Sequence, residues 1–239
     1  MSPARAQPVQ AAPPVQRLRV RYAKRGRARF TSSRDFARAF ERALRRAGVP
    51  MAYSSGFSPH PRISYANAAP TGAASEAEYL EIGVAEQCDP ERVRAALDAA
   101  LPPGLDVVEV VAAVPGALAD LLTGSRWRIQ VPGVTPEVMQ AAVSAVLAET
   151  SVMVQRLTKS GVRTFDIRPA VISLTPSGAD ELLLVTLHQE PLVRPDDVLT
   201  ALSGAGVGFA PTEVPILTRL RQGVLDPETG EIADPFGSD

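Results

Sequence analysis

Apolar and polar positions along the chain alternate with two periods, and the order in which those periods change predicts the elements. From Arg17 to Phe30 the period is two. Leu18, Val20 and Tyr22 fall on one face and Arg17, Arg19 and Arg21 on the other, as in a half-buried strand. The period then becomes helical: Ser32 or Ser33 can cap a helix whose apolar stripe is Phe36, Phe40, Leu44 and Ala47, closed by Gly48. Met51–Tyr65 predicts a loop and a second strand, and Glu78–Val84 alternates as a third. Asp89-Pro90-Glu91 combines an N-cap, a proline in the first turn and an acid near the positive end of the helix dipole. A second helix therefore starts there and ends near Leu101, and Leu105–Val114 predicts a fourth strand. The order is β-α-β-β-α-β, a ferredoxin-like arrangement.

The second half repeats that order without residue-level identity. Trp127–Val131 predicts a strand, and Thr135-Pro136-Glu137 opens a helix through Val138, Ala142 and Val146. Val152–Leu157, Phe165–Leu174 and Leu182–His188 predict strands, the last two on either side of the turn Pro176-Ser177-Gly178, which suggests an extra hairpin strand. Pro195-Asp196-Asp197 opens a helix through Val198 and Leu202 to Gly204, and Val214–Leu220 closes the sheet. The expected fold class is α+β: two tandem ferredoxin-like domains over residues 16–117 and 124–221. Residues 1–15, with four prolines among Ala, Gln and Val, predict a disordered leader, and the acidic residues 222–239 a disordered tail.

Composition narrows the chemistry. A chain of 239 residues holds two domains of about 100–120 residues each. Hydrophobic residues at 45% and charged residues at 21% exclude wholesale disorder. No apolar run approaches the ~20 residues of a membrane helix, and the N-terminus lacks the apolar core of a signal peptide; no membrane partner and a cytoplasmic location are expected. The single cysteine, Cys88, excludes an internal disulfide, a cysteine-based zinc site and a three-cysteine iron–sulfur cluster. Neither metal nor cofactor is expected in the chain itself. Cys88 precedes a helix cap that could lower its pKa, but with no partner in view it is expected to be inert. Glu76, Glu78 and Glu81 lack metal-ligand spacing and are expected to be solvated or ion-paired.

The net charge of -1 hides an asymmetry. Residues 17–62 carry 13 Arg or Lys against Asp35 and Glu41, a local net of +11; residues 63–239 carry 11 against 24 acids, a net of -13. Arg34, Arg38, Arg42 and Arg45 recur at intervals of four, four and three, so they line one face of the first helix, with Arg46 at its edge. A solvated face partly neutralised by Glu41 is the plain alternative. The stripe has company, however: Lys24, Arg25, Arg27 and Arg29 surround Gly26, and Arg62 follows. Like charges at this spacing repel, and an anionic ligand such as an RNA backbone relieves them.

The loop from Tyr53 to Arg62 adds two aromatics, three hydroxyls and a histidine, a mixture suited to single-stranded RNA. The expected nucleic-acid-binding set is Lys24, Arg25, Arg27, Arg34, Arg38, Arg42, Arg45, Arg46, Tyr53, Ser55, Phe57, Ser58, His60 and Arg62. The plain alternative for the loop is a rigid turn between Pro59 and Pro61 with Phe57 in the core. An enzymatic alternative is a metal-independent endoribonuclease with His60 as general base beside Tyr53. Ser58, His60 and Asp35 supply triad residue types without a nucleophile-elbow glycine pattern. His188, on an apolar strand, is expected to be structural.

Three stretches carry a family resemblance: Arg29-Phe30-Thr31-Ser32-Ser33-Arg34-Asp35-Phe36 with Phe40–Pro50, Gly56-Phe57-Ser58-Pro59-His60-Pro61-Arg62-Ile63-Ser64, and Ser75–Ile82. Together they resemble the bacterial radical-SAM-linked domain of unknown function in its standalone form, specifically over residues 17–115 and more weakly to about residue 221. The resemblance implies a companion to a radical-SAM protein with links to RNA and ribosome metabolism. The family often has a histidine where this chain has Ser33, which weakens a two-histidine enzyme. The expectation is a non-catalytic accessory protein that presents RNA (tRNA or rRNA) to a radical-SAM partner. A protein-interaction subunit that meets no nucleic acid is the remaining alternative.

Overall fold

The structure is a computed structural model that describes residues 10–158 and 161–237. It is a mixed α+β fold with four α-helices among the described residues, none long and apolar enough to cross a membrane. The chain divides into two compact units, Met1–Thr71 with Glu78–Leu118, and Gly72–Ala77 with Ala119–Asp239.

The first unit runs β1 (Gln16–Lys24), α1 (Ser33–Arg46), β2 (Ile63–Ala66), β3 (Ala74–Val84, of which this unit holds the part from Glu78 onward), α2 (Pro90–Ala100) and β4 (Leu105–Ala112). Its strands lie in the order β4-β1-β3 with β2 on β3, and the β1/β4 and β2/β3 pairs are antiparallel. Helix α1 starts where the Ser32 hydroxyl accepts the Asp35 N–H, and it ends ahead of Gly48, whose φ of 65° suits the left-handed turn. Phe36, Ala39, Phe40, Ala43 and Leu44 are its buried face, and Phe36, Phe40 and Leu44 pack in one core with Leu18, Val20 and Tyr22 of β1.

Three expectations need correction here. Strand β1 stops at Lys24, because Gly26 turns to a φ of 52° and Gly26–Phe30 winds into a 3-10 turn. The arginine face of β1 is not uniformly solvated either. Arg19 is 1% exposed, and its guanidinium donates to the carbonyl oxygens of Val114 and Gly116 and pairs with Glu81. Nor does the predicted leader hold over residues 10–15: the Ala11 N–H donates to Ser55 Oγ at 2.9 Å and the Val15 N–H to the Val84 carbonyl oxygen at 2.9 Å. Residues 1–9 of that leader lie outside the described residues.

The second unit runs β5 (Gly124–Gln130), α3 (Pro136–Ala148), β6 (Met153–Thr158), β7 (Gly161–Asp166), β8 (Val171–Pro176), β9 (Glu181–Leu187), α4 (Pro195–Gly204), β10 (Ile216–Leu225) and β11 (Ile232–Ala233). Strands β10, β5, β9 and β8 pair antiparallel in that order, and the first residues of β3 join β10 in parallel through Ala74↔Thr218 and Ser75↔Arg219. The extra hairpin is β6/β7, which among the described residues pairs only with itself, whereas β8 and β9 belong to the main sheet. The predicted strand Phe165–Leu174 is two strands separated by a 3-10 turn at Arg168–Ala170, where Pro169 has no N–H for a ladder.

The predicted disordered tail is ordered over most of its length. β10 continues to Leu225, Asp226 starts a turn by accepting the N–H groups of Glu228 and Gly230, and β11 pairs back onto β10. A Cβ at Gly223 would run into the Ala233 carbonyl oxygen, so glycine permits this close approach. Leu225 and Ile232 then bury against Val185, apolar contacts that acidic composition concealed. Ile232→Ala is expected to lower the unfolding free energy by about 2 kcal/mol or more in urea denaturation; a freely mobile tail would give no change.

Candidate nucleic-acid interface

The buried stripe of α1 leaves Arg34, Arg38, Arg42 and Arg45 exposed on its other side, with a rise of about 6 Å for each four-residue step. Among the described residues none of the four is ion-paired. The Asp35 carboxylate accepts the Ser32 hydroxyl at 2.7 Å, and among the described residues Glu41 forms no ion pair with the stripe. Arg27, in the 3-10 turn, is likewise exposed and unpaired among the described residues.

Other members of the expected basic set have structural work. Arg25 pairs with Asp106 of β4 at 2.8 Å, and the Arg46 guanidinium donates to the Ala100 carbonyl oxygen at the end of α2. Lys24 is buried, its Nζ donating to the Ala69 and Pro70 carbonyl oxygens at 3.4 Å each. It therefore does not share the exposed arginine face, because the β1 face that carries it is covered by the Ala69–Pro70 turn.

The loop between Tyr53 and Arg62 closes on itself. Tyr53 bridges Pro61, the Ser54 N–H donates to the His60 carbonyl oxygen, Ser54 Oγ accepts the His60 N–H, and Arg62 Nε donates to the Tyr53 carbonyl oxygen. These bonds hold Tyr53, His60 and Arg62 together at the loop base and leave Ser55, Phe57 and Ser58 exposed at its tip. Phe57 is 71% exposed, so the core alternative for this ring fails: Gly56, at a φ of 128°, turns the tip outward. The His60 imidazole bonds to no described residue, so no second group orients it as a general base.

Two further exposed rings escaped the sequence reading. Phe30 is 59% exposed with the Arg29 guanidinium 4.7 Å from its centroid, and Tyr65 is 42% exposed beside Phe36. With Tyr53 at 45%, all the exposed aromatic rings among the described residues fall within residues 30–65. A signal for Phe30 was present: it lies two residues ahead of the Ser32 cap, off the α1 stripe.

A cleft of about 440 Å³ opens between β1, the start of α1 and the turn after β2. Tyr22, Phe36 and Tyr65 line one part, Lys24, Asn67 and Glu78 another, and Thr31, Ser33 and Arg34 a third. Glu78 is buried, which corrects the solvated half of its expectation, and its carboxylate accepts the Ala69 N–H at 3.1 Å. Partial burial, with Glu41 nearby, pushes the Tyr65 phenol up to about 12, so the ring stays neutral.

The fold and surface thus define an α+β protein with a bare basic helix flanked by exposed rings. The chain belongs to the family described as an uncharacterized protein conserved in bacteria (DUF2344), whose model matches residues 17–195. No curated protein matches it. Among solved structures it is similar to a chain of a Cbf5-Nop10-Gar1 complex, at 11% identity and a TM-score of 0.44, covering 92% of this chain. The chain spans 56% of that protein's length. It is also similar to an unknown protein from Galdieria sulphuraria, at 14% identity and a TM-score of 0.26, covering 87% of this chain and 99% of that one.

The remaining reactive groups sit apart from these features. Among the described residues no three His, Cys, Asp or Glu side chains gather as a metal site. Burial and Glu86 raise the Cys88 thiol, opposite to a cap-activated nucleophile. In the second unit, His188 Nδ1 donates to the Leu122 carbonyl oxygen at 2.6 Å, so Nε2 accepts from the buried Ser125 hydroxyl at 2.8 Å. Burial lowers the His188 pKa below 6.5, aided by Arg219 and opposed by the Leu122 bond. The unfolded chain therefore binds this proton more readily than the folded one. Stability from neutral His188 is expected in full above pH 6.5 and to fall as pH drops through the lowered value. Urea denaturation across that window should show the loss in wild type and not in His188→Gln.

Proposed function

We propose that this protein is a non-catalytic RNA-binding accessory subunit that presents tRNA or rRNA to a radical-SAM partner, built on two ferredoxin-like units. The observation that carries the RNA reading is the bare arginine stripe of Arg34, Arg38, Arg42 and Arg45. Four like charges on one helix face, unpaired with described acids, repel one another until an anion binds between them. A phosphodiester backbone supplies such anions in series, and the exposed rings of Phe30, Tyr53 and Phe57 offer stacking surfaces for unpaired bases.

The ferredoxin-like frame is supported by the strand orders β4-β1-β3-β2 and β10-β5-β9-β8, each the first strand flanked by the last and third. The radical-SAM partner is inferred from the family resemblance. One cysteine falls short of the three that hold such a cluster, so radical chemistry would belong to a second protein.

Fluorescence anisotropy with labelled tRNA and rRNA fragments at several salt concentrations tests this reading. Wild type is expected to bind with a steep salt dependence. In Arg38→Glu/Arg42→Glu the affinity should collapse, and on single strands the log–log salt slope should shrink by about 1.4 or more, from two lost phosphate contacts. No binding near physiological salt, or equal binding by the variant, would reject it.

A further inference from the structure

We propose that the cleft at the start of α1 is a nucleotide pocket: it takes one unstacked base against Tyr65, with the attached phosphate at Arg34. The cleft, about 440 Å³, lies within the range of small-ligand sites, roughly 300–1,000 Å³. Its composition is unusual for leftover space in a core. Lys24 and Glu78 line it although they are 5% and 1% exposed, and burying charged groups is costly unless they are well partnered. The Ala69–Pro70 turn holds both, accepting from Lys24 Nζ through two carbonyl oxygens and donating the Ala69 N–H to Glu78. These bonds fix Ala69, itself a lining residue, in place at the cleft.

The walls fit the same ligand. Tyr22 and Phe36 stack with centroids 4.3 Å apart at 6°, and Tyr65 stands edge-on to Phe36 at 6.0 Å and 79°. Tyr65 is thereby braced on one side while part of its ring stays open. Arg34 and the Ser33 and Thr31 hydroxyls line the cleft where a phosphate would need donors. Asn67, also lining it, is the one non-glycine described residue at positive φ (42°), a backbone state often kept at ligand sites.

Free nucleotides and single-stranded RNA present the same chemistry. The RNA source rests on the RNA-binding reading above; the pocket itself does not, and two titrations of the full chain separate them. Calorimetry with each of AMP, GMP, CMP and UMP reads the cleft alone, and anisotropy with labelled single-stranded RNA reads cleft and basic face together. Wild type should bind at least one nucleotide. Tyr65→Ala should weaken that binding, and RNA binding, about tenfold with the salt slope unchanged. Tyr65→Phe, which keeps the ring and the packing, should restore both. Arg38→Glu/Arg42→Glu should lose RNA and keep mononucleotide binding.

Mononucleotide binding without RNA binding by wild type would reject the RNA reading and uphold the pocket with free nucleotide as its ligand. RNA binding by wild type that Tyr65→Ala leaves unchanged, with no mononucleotide bound, would overturn the pocket and uphold the basic face. A Tyr65→Phe variant as weak as Tyr65→Ala would also overturn it, since stacking would then not be the contact.

Discussion

Phe36 is the centre of a run of rings drawn from three elements: Tyr22 of β1 stacks on it at 4.3 Å, Phe40 of α1 lies at 5.6 Å, and Tyr65 of β2 meets it edge-on at 6.0 Å. Such pairs contribute about 0.5–1.5 kcal/mol each beyond the area they bury. Their larger effect is geometric, because they set the rotation of α1 about its own axis. Two residues along a helix is a turn of about 200°, so the arginines two positions from Phe36, Phe40 or Leu44 (Arg34, Arg38 and Arg42) must point away from the core. Three of these rings, Tyr22, Phe36 and Tyr65, also wall the cleft. The basic face and the cleft are therefore two results of one packing arrangement.

Strand pairing then sorts the positive charge. Of the basic residues in the N-terminal segment, Arg17 and Arg19 meet Glu81, Arg21 meets Glu109 and Arg25 meets Asp106, all through partners far along the chain. For exposed pairs such as Arg25–Asp106 the gain is small, in the range of about 0–1 kcal/mol, but it withdraws that arginine from the surface available to an anion. Arg19 is different: fully buried, it must be satisfied, and two loop carbonyls and a carboxylate do so. What remains bare is the α1 stripe and Arg27. The excess of +11 in sequence thus overstates the basic surface and misplaces part of it.

The elements themselves were largely legible. The Ser32, Asp89 and Thr135 caps and the prolines after Asp89, Thr135 and Arg194 mark helix starts that appear at those residues, since capping is settled within one turn of chain. Legibility failed where local pattern and long-range pairing diverge. Phe165–Leu174 has strand composition throughout, yet its two ends pair with different strands. The segment after Gln222 is polar and acidic, yet two apolar residues and one glycine suffice to bring it back onto β10.

By itself the sequence determined the helix starts and which face of α1 carries the arginine stripe, because periodicity and capping depend on residues within a few positions of one another. The tertiary structure decided what each charge does: that Lys24 lies beneath the turn 45 residues on, that Arg25 spends its charge on Asp106, and that Glu78 lines a cleft with Tyr65. Those outcomes turn on strand order and register, which join residues tens of positions apart. No local spacing encodes which of many acids or carbonyls will arrive opposite a given base.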